Sequence, residues 1–110
     1  MGAQKVSISV VTYNSEGCIA ALLDSIAGHV KGVDYHVYVV DNGSADGTVE
    51  IVKQRVSPSV TLIKSPANRG FSGGHNMVLG RIDSEYHVCI NPDVVLKDDV
   101  ISAMARYMDE

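Results

Sequence analysis

Residues 6–12, Val-Ser-Ile-Ser-Val-Val-Thr, are rich in β-branched side chains and stop at the polar cluster Tyr13, Asn14 and Ser15. The pattern predicts a strand running into a loop. Ile19, Leu22, Leu23 and Ile26 then recur at helical spacing, with Ser15 as the expected N-cap and Gly28 as the expected stop. Tyr35–Asp41 repeats the strand pattern. The turn-forming run D-N-G-S-A-D-G-T follows, with Ser44 as expected cap of a second helix whose face carries Val49, Val52 and Val56. Val60–Lys64 predicts a third strand, and residues 68–76 form a glycine-rich loop leading into a short helix over 77–81. Residues 87–90 predict a fourth strand. Asp98 and Asp99 open a last helix with Val100, Ile101, Met104 and Met108 expected inward, and their charge suits the positive end of the helix dipole.

Strands alternating with helices predict an α/β fold, a Rossmann-like and mostly parallel sheet of about four strands flanked by helices. Ligands of such sheets bind at the carboxyl ends of the strands, where the strand order reverses. The predicted ends are Thr12-Tyr13-Asn14, Asp41-Asn42, the glycine-rich loop and Asn91-Pro92-Asp93, all polar or turn-forming. No fixed-period repeat and no linker-like stretch divides the chain, and 110 residues with 45% apolar side chains suffice for one core.

Charge narrows the partners. A net charge of −4 gives no basic field for a nucleic-acid backbone. No apolar run reaches the roughly 20 residues of a membrane span, and no signal-peptide pattern opens the chain, so the expected location is the cytoplasm, extending to a peripheral place at the inner membrane face. Cys18 and Cys89 lack metal or disulfide spacing and are expected to be small buried hydrophobes.

Neither G-x-G-x-x-G nor a Walker A lysine loop occurs, so a phosphorylated ligand would have to be held by other means than a glycine-rich helix N-terminus. A divalent cation, magnesium or manganese, is the usual substitute, because it takes a few carboxylate oxygens together with phosphate and water. Asp93, beside the rigid Pro92, is the candidate ligand.

Four stretches in order, S-V-V-T-Y-N, V-V-D-N-G-S-A-D-G-T, N-R-G-F-S-G-G-H-N and I-N-P-D-V, resemble the N-terminal half of inverting family 2 glycosyltransferases of GT-A fold. The resemblance runs from about Lys5 to Glu110. It implies transfer of a sugar from a nucleoside diphosphate donor to an acceptor hydroxyl, the acceptor being a glycan or lipid-linked sugar. By residue, it implies base contacts from Thr12 and Tyr13 with Asn14 in support, a ring N–H of uracil or thymine accepted by Asp41, and Asn42 beside it. Ser44, Asp46 and Thr48 belong to the loop and helix cap, Arg69 is implied as partner of base or phosphate, and Gly70, Gly73 and Gly74 allow close backbone approach. Where many members carry D-x-D, this chain has Asn91-Pro92-Asp93: Asp93 matches the metal-binding aspartate and Asn91 is placed toward the ribose or a metal-bound water. The N-P-D-V form looks like rhamnosyltransferase-like members of bacterial polysaccharide synthesis, which implies a deoxythymidine or uridine diphosphate sugar, with deoxythymidine diphosphate-rhamnose the favoured donor. The catalytic base is expected beyond Glu110, leaving these residues as the donor-binding half.

Each residue also has an ordinary role open to it. Tyr13 can be a half-buried packing aromatic, Asp41 a turn former, Asp93 a turn cap, Arg69 a solvated cation, and the glycines mere packing. A binding module that holds a nucleotide or nucleotide sugar without catalysis is the alternative function. A sugar-nucleotide pyrophosphorylase would need a basic glycine-rich N-terminal loop, and an NAD-linked dehydrogenase its fingerprint; both are absent.

Overall fold

A computed structural model of the chain describes residues 4–65 and 84–109. It contains strands β1 (Gln4–Thr12), β2 (Tyr35–Asp41), β3 (Val60–Lys64) and β4 (Ser84–Cys89), and helices α1 (Ile19–His29), α2 (Thr48–Lys53) and α3 (Val100–Asp109). The strands form one sheet in the order β3-β2-β1-β4, and every pairing is parallel. All four carboxyl ends therefore lie at one edge. The order reverses between β1 and β4, which makes the gap between their ends the switch point of the sheet.

Alternation along the strands separates two faces. Val6, Ile8 and Val10 of β1 and Val37 and Val39 of β2 are fully buried with Ile19, Leu22 and Ile26 of α1, Val52 of α2 and Ile101 of α3. Among the described residues, all three helices thus cover the same face. Each such aliphatic side chain contributes about 1.5–3 kcal/mol of burial. The opposite face carries a smaller cluster of Val11, Val40, Ile63 and Tyr38, and a polar row in which Ser7 donates to Ser84 (2.7 Å) and His36 meets Thr61 (2.7 Å).

Several predicted boundaries shift for local reasons. Ser15 does not cap α1 with its side chain: its carbonyl takes the amides of Cys18 and Ile19, and its hydroxyl folds back onto Tyr13. Gly28 lies inside α1, whose chain leaves through an extended Val30 rather than a left-handed glycine. Ser44 stands too early to cap α2; the Asp46 carboxylate takes the Thr48 amide instead (3.0 Å), and Val56, beyond this short helix, is 50% exposed. The fourth strand begins three residues before its predicted start. Cys18 is half-buried and Cys89 exposed, both free thiols, so neither is the buried hydrophobe expected.

Helix α3 is turned relative to the prediction. Ile101, Ser102 and Ala105 face inward, while Val100, Met104 and Met108 are exposed. Asp99 explains the rotation: its carboxylate accepts the amides of Lys31 and Gly32 (both 2.9 Å), the Ser102 amide (3.0 Å) and the Ser102 hydroxyl (2.6 Å). Ser102 is thereby drawn against Gly32, where an added Cβ would stand 2.8 Å from the Ser102 hydroxyl oxygen. Burial works against the Asp99 charge, but these hydrogen bonds outweigh it and hold the carboxyl well below the usual carboxylate range.

His36 and His87, on the polar face, both have pKa values lowered by burial, and neither ring nitrogen of His87 has a hydrogen-bond partner among the described residues. A histidine with a lowered folded pKa is protonated first in the unfolded chain, so stability falls as pH drops below the ordinary value of about 6.5. Thermal unfolding followed from pH 7.5 to 5.5 is expected to show a falling midpoint, with a shallower fall in His87→Phe. Equal slopes for the two proteins would show that His87 does not titrate across folding.

Candidate functional site

The carboxyl end of β2 is organised by one buried side chain. Asp41, 2% exposed, accepts the Thr12 hydroxyl (2.9 Å), the amides of Gly43 (3.1 Å) and Ser44 (2.9 Å), and the Ser44 hydroxyl. Four donors fill the lone-pair sites of one carboxylate. Gly43 is forced to φ +92 by the tightness of this turn, a conformation that glycine adopts without strain.

From that anchor the β1–α1 loop is fastened to the β2–α2 loop. Parallel register sets Thr12 opposite Asp41, and the Asn42 amide continues the ladder to the Thr12 carbonyl (2.9 Å). Beyond it the Asn14 amide donates to the Ser44 hydroxyl and the Asn14 side-chain oxygen accepts the Ala45 amide (both 2.8 Å). The Ser15 amide donates to Thr48 (2.8 Å), the Glu16 amide to Asp46 (3.2 Å), and the Gly47 amide to Glu16 (3.1 Å). Hydrogen bonding from Thr48 keeps the Asp46 carboxyl below the usual range.

On the other side of the switch point, the β4–α3 loop is pinned from beneath. Ile90 donates to the Ser9 carbonyl (3.0 Å), and the Leu96 amide donates to Ser25, a buried hydroxyl of α1 (3.0 Å). Between them Asn91 accepts the Val94 amide (3.2 Å), a four-residue turn with Pro92 second, the position that suits its fixed φ. Asp93 is left exposed at the turn. Burial pushes the Cys18 thiol up, and the Asp93 charge adds to it.

The structure thus sorts the residues named from the sequence. Thr12, Asp41 and Asn42 are buried beneath the loops; Tyr13 (54% exposed), Asn14, Asn91 and Asp93 stand at the surface around the switch point. Tyr13 is too open to be the half-buried packing aromatic weighed above. Arg69, Gly70, Gly73, Gly74 and the predicted helix over 77–81 lie outside the described residues. Glu16 was not singled out in the sequence; the pairing of Thr12 with Asp41, seen only in the structure, brings the two following loops side by side, where Glu16 meets Asp46 and Gly47.

Among the described residues no group of three His, Cys, Asp or Glu could hold a metal ion. The described hollows are apolar grooves along α3: two of about 310 and 410 Å³ against β4, both lined by Val88, Ile101 and Met104 and the larger reaching Asn91 and Val94 at the end of β4, and one of about 300 Å³ beside Met104 and Tyr107. They lack the converging polar groups that orient a nucleotide, so the strand ends, not these grooves, form the candidate site. No described helix is long and apolar enough to cross a membrane.

Comparison with known proteins shows the family of the chain. The family model for glycosyl transferase family 2 matches residues 7–110. The chain is 31% identical over 109 residues to the poly(ribitol-phosphate) beta-N-acetylglucosaminyltransferase TarS of Staphylococcus aureus, covering 96% of this chain and 19% of that protein. It is 31% identical to the succinoglycan biosynthesis protein ExoO of Rhizobium meliloti, covering 94% and 30%. The chain therefore spans less than a third of either relative. The structure of S. aureus TarS 1–349 in complex with UDP-GlcNAc superimposes with a TM-score of 0.85 at 29% identity, over 96% of this chain and 31% of that one. The mannosyltransferase PcManGT of Pyrobaculum calidifontis, in complex with GDP-Man and Mn2+, does so at 0.82 and 26%, over 94% and 32%. With its four-strand parallel sheet and a family match across nearly its whole length, the chain belongs to glycosyl transferase family 2, with the GT-A type of fold.

Proposed function

We propose that residues 1–110 hold the nucleoside diphosphate part of a sugar donor, as the donor-binding half of a glycosyltransferase of bacterial polymer synthesis. The observation that supports this most is the grouping of Tyr13, Asn14, Asn91 and Asp93, exposed, at the carboxyl ends of β1 and β4, on the two sides of the switch point. In this reading Tyr13 packs on the base, while Thr12 and Asn42 form the buried floor of its pocket. Asn91 faces the ribose or a metal-bound water, and Arg69 with Gly70 approaches the base or phosphates. Asp41 serves the base first through the turn that it holds. Direct acceptance of a ring N–H of uracil or thymine requires the Ser44 hydroxyl to release one carboxylate oxygen, an exchange of one charge-assisted hydrogen bond for another.

A divalent cation, manganese or magnesium, fits the site in a limited way. Asp93 supplies one exposed carboxylate and Asn91 an amide, so most ligands would come from the diphosphate and water. When bound, such an ion neutralises charge on the departing diphosphate. Among the solved relatives, TarS is held with UDP-GlcNAc and PcManGT with GDP-Man and Mn2+. For this chain the N-P-D-V turn favours a deoxythymidine or uridine diphosphate sugar, a rhamnosyl donor first. Acceptor binding, to a glycan or lipid-linked sugar, and the general base are proposed to lie beyond Glu110, in a protein working in the cytoplasm or at the inner membrane face.

Calorimetric titration with uridine, thymidine, guanosine and adenosine diphosphates, with and without manganese, tests the reading. Uridine or thymidine diphosphate is expected to bind tightest, and manganese to strengthen binding in the wild type but much less in Asp93→Ala. Binding that ignores both manganese and Asp93 would remove the metal role. Asp41→Ala is expected to cost about 1–3 kcal/mol of unfolding free energy, by leaving buried donors unsatisfied, and to weaken nucleotide binding with it. Unchanged denaturant midpoints would show that the turn stands without Asp41.

A further inference from the structure

We infer that Asn14 is a positioning residue for the nucleotide, acting through Tyr13 by clamping the loop that aims its ring. The inference rests on the proposed contact between Tyr13 and the base. Three observations carry it. The Tyr13 side chain is 54% exposed and makes no hydrogen bond to the described residues, so among them no polar contact fixes its ring and the course of its backbone decides where it points. Asn14, next along, is the one non-glycine residue with positive φ among those described, at +52. That left-handed conformation is several-fold enriched in asparagine and costly for most other side chains. Asn14 also grips the neighbouring loop in both directions, donating its amide to Ser44 and accepting the Ala45 amide on its side-chain oxygen.

The consequence is a chain of restraint from core to surface. Buried Asp41 fixes Ser44, Ser44 takes the Asn14 amide, and the left-handed step at Asn14 turns Tyr13 outward. An aromatic platform held in this way loses little freedom when a base stacks on it. A platform on a free loop has to be ordered at each binding event. Asn14 need not touch the nucleotide to matter.

The chemistry of single substitutions separates the parts of this restraint. Asn14→Gly tolerates positive φ but deletes the side-chain clip to Ala45. Asn14→Asp keeps both an acceptor oxygen and tolerance of the left-handed backbone. Its added charge acts alike whether or not Tyr13 is present.

The test is a cycle with Tyr13→Ala, using uridine diphosphate and manganese as the probe and calorimetry as the readout. Circular dichroism melting confirms that each variant is folded. In the Asn14 parent, Tyr13→Ala is expected to weaken binding about ten-fold, the scale of one base stacked on an aromatic ring. The same ten-fold ratio is expected in the Asn14→Asp background. In the Asn14→Gly background the ratio is expected to collapse to about two-fold, the sign of a coupled pair. A ratio near ten in all three backgrounds would overturn the positioning role while leaving Tyr13 in the site. A ratio near one in the parent would instead remove Tyr13 from the base site, and the role of Asn14 would fall with it. Should Asn14→Gly not fold, Ser44→Ala, which removes the hydroxyl that takes the Asn14 amide, replaces it with the same expected collapse of the ratio, and a ratio near ten there overturns the inference.

Discussion

A buried carboxylate accepting four hydrogen bonds holds the carboxyl end of the two central strands together. Asp41 closes β2, ties its end to Thr12 of β1, and supports the left-handed step at Gly43. Without an acceptor at that position, the buried Thr12 hydroxyl would lose its best partner where unmet donors are costly, and the less buried Gly43 and Ser44 donors that shape the turn would be released toward water. Through Ser44 the same carboxylate reaches the β1–α1 loop, so one residue in the second strand governs how the first strand's loop meets solvent. The second support of the architecture repeats the device at the other end of the sheet. Asp99 there gathers the α1–β2 turn and the start of α3.

Much of this was legible in the residue pattern. β2 was predicted to the residue because β-branched side chains fill it and an Asp-Asn-Gly turn ends it, so propensity and punctuation agree. The strand-end motifs were legible because a parallel sheet gathers carboxyl ends at one edge. What failed was capping and helix phase. Ser15 and Ser44 have the right chemistry for N-caps, but the Ser15 hydroxyl folds back onto Tyr13 of its own loop, and the Ser44 hydroxyl is taken by Asp41 and by the Asn14 amide of the other loop, a competitor that helix-local reasoning does not weigh. Val100, Met104 and Met108 follow a helical stripe, yet the inward face of α3 is set by Asp99 pulling Ser102 toward Gly32, a contact some 70 residues away in sequence. At the site, Tyr13 and Asp93 were legible as surface groups, whereas the burial of Thr12 and Asn42 followed only from the register of β1 against β2.

Exposure divides labour across the site. The buried members, Thr12, Asp41 and Asn42, are spent on shape, and the exposed ones, Tyr13, Asn14, Asn91 and Asp93, are available to a ligand. The two halves of the crevice are also held differently. The β1 side is stitched to a second loop by side chains, while the β4 side rests on Ser25 of α1 and on the buried Leu96. In the proposed reading the exposed aromatic suits the flat base, and the carboxylate suits the anionic phosphates only through a divalent cation held between them.

That arrangement makes one measurement decisive. Amide chemical shifts of isotopically labelled protein can be followed during titration with uridine diphosphate and magnesium, residue by residue. The account predicts the largest shifts at Tyr13, Asn14, Asn42, Asn91 and Asp93, with α3 and the outer edge of β4 unmoved. Shifts concentrated instead on Val88, Met104 and Met108, in the apolar grooves between β4 and α3, would contradict it.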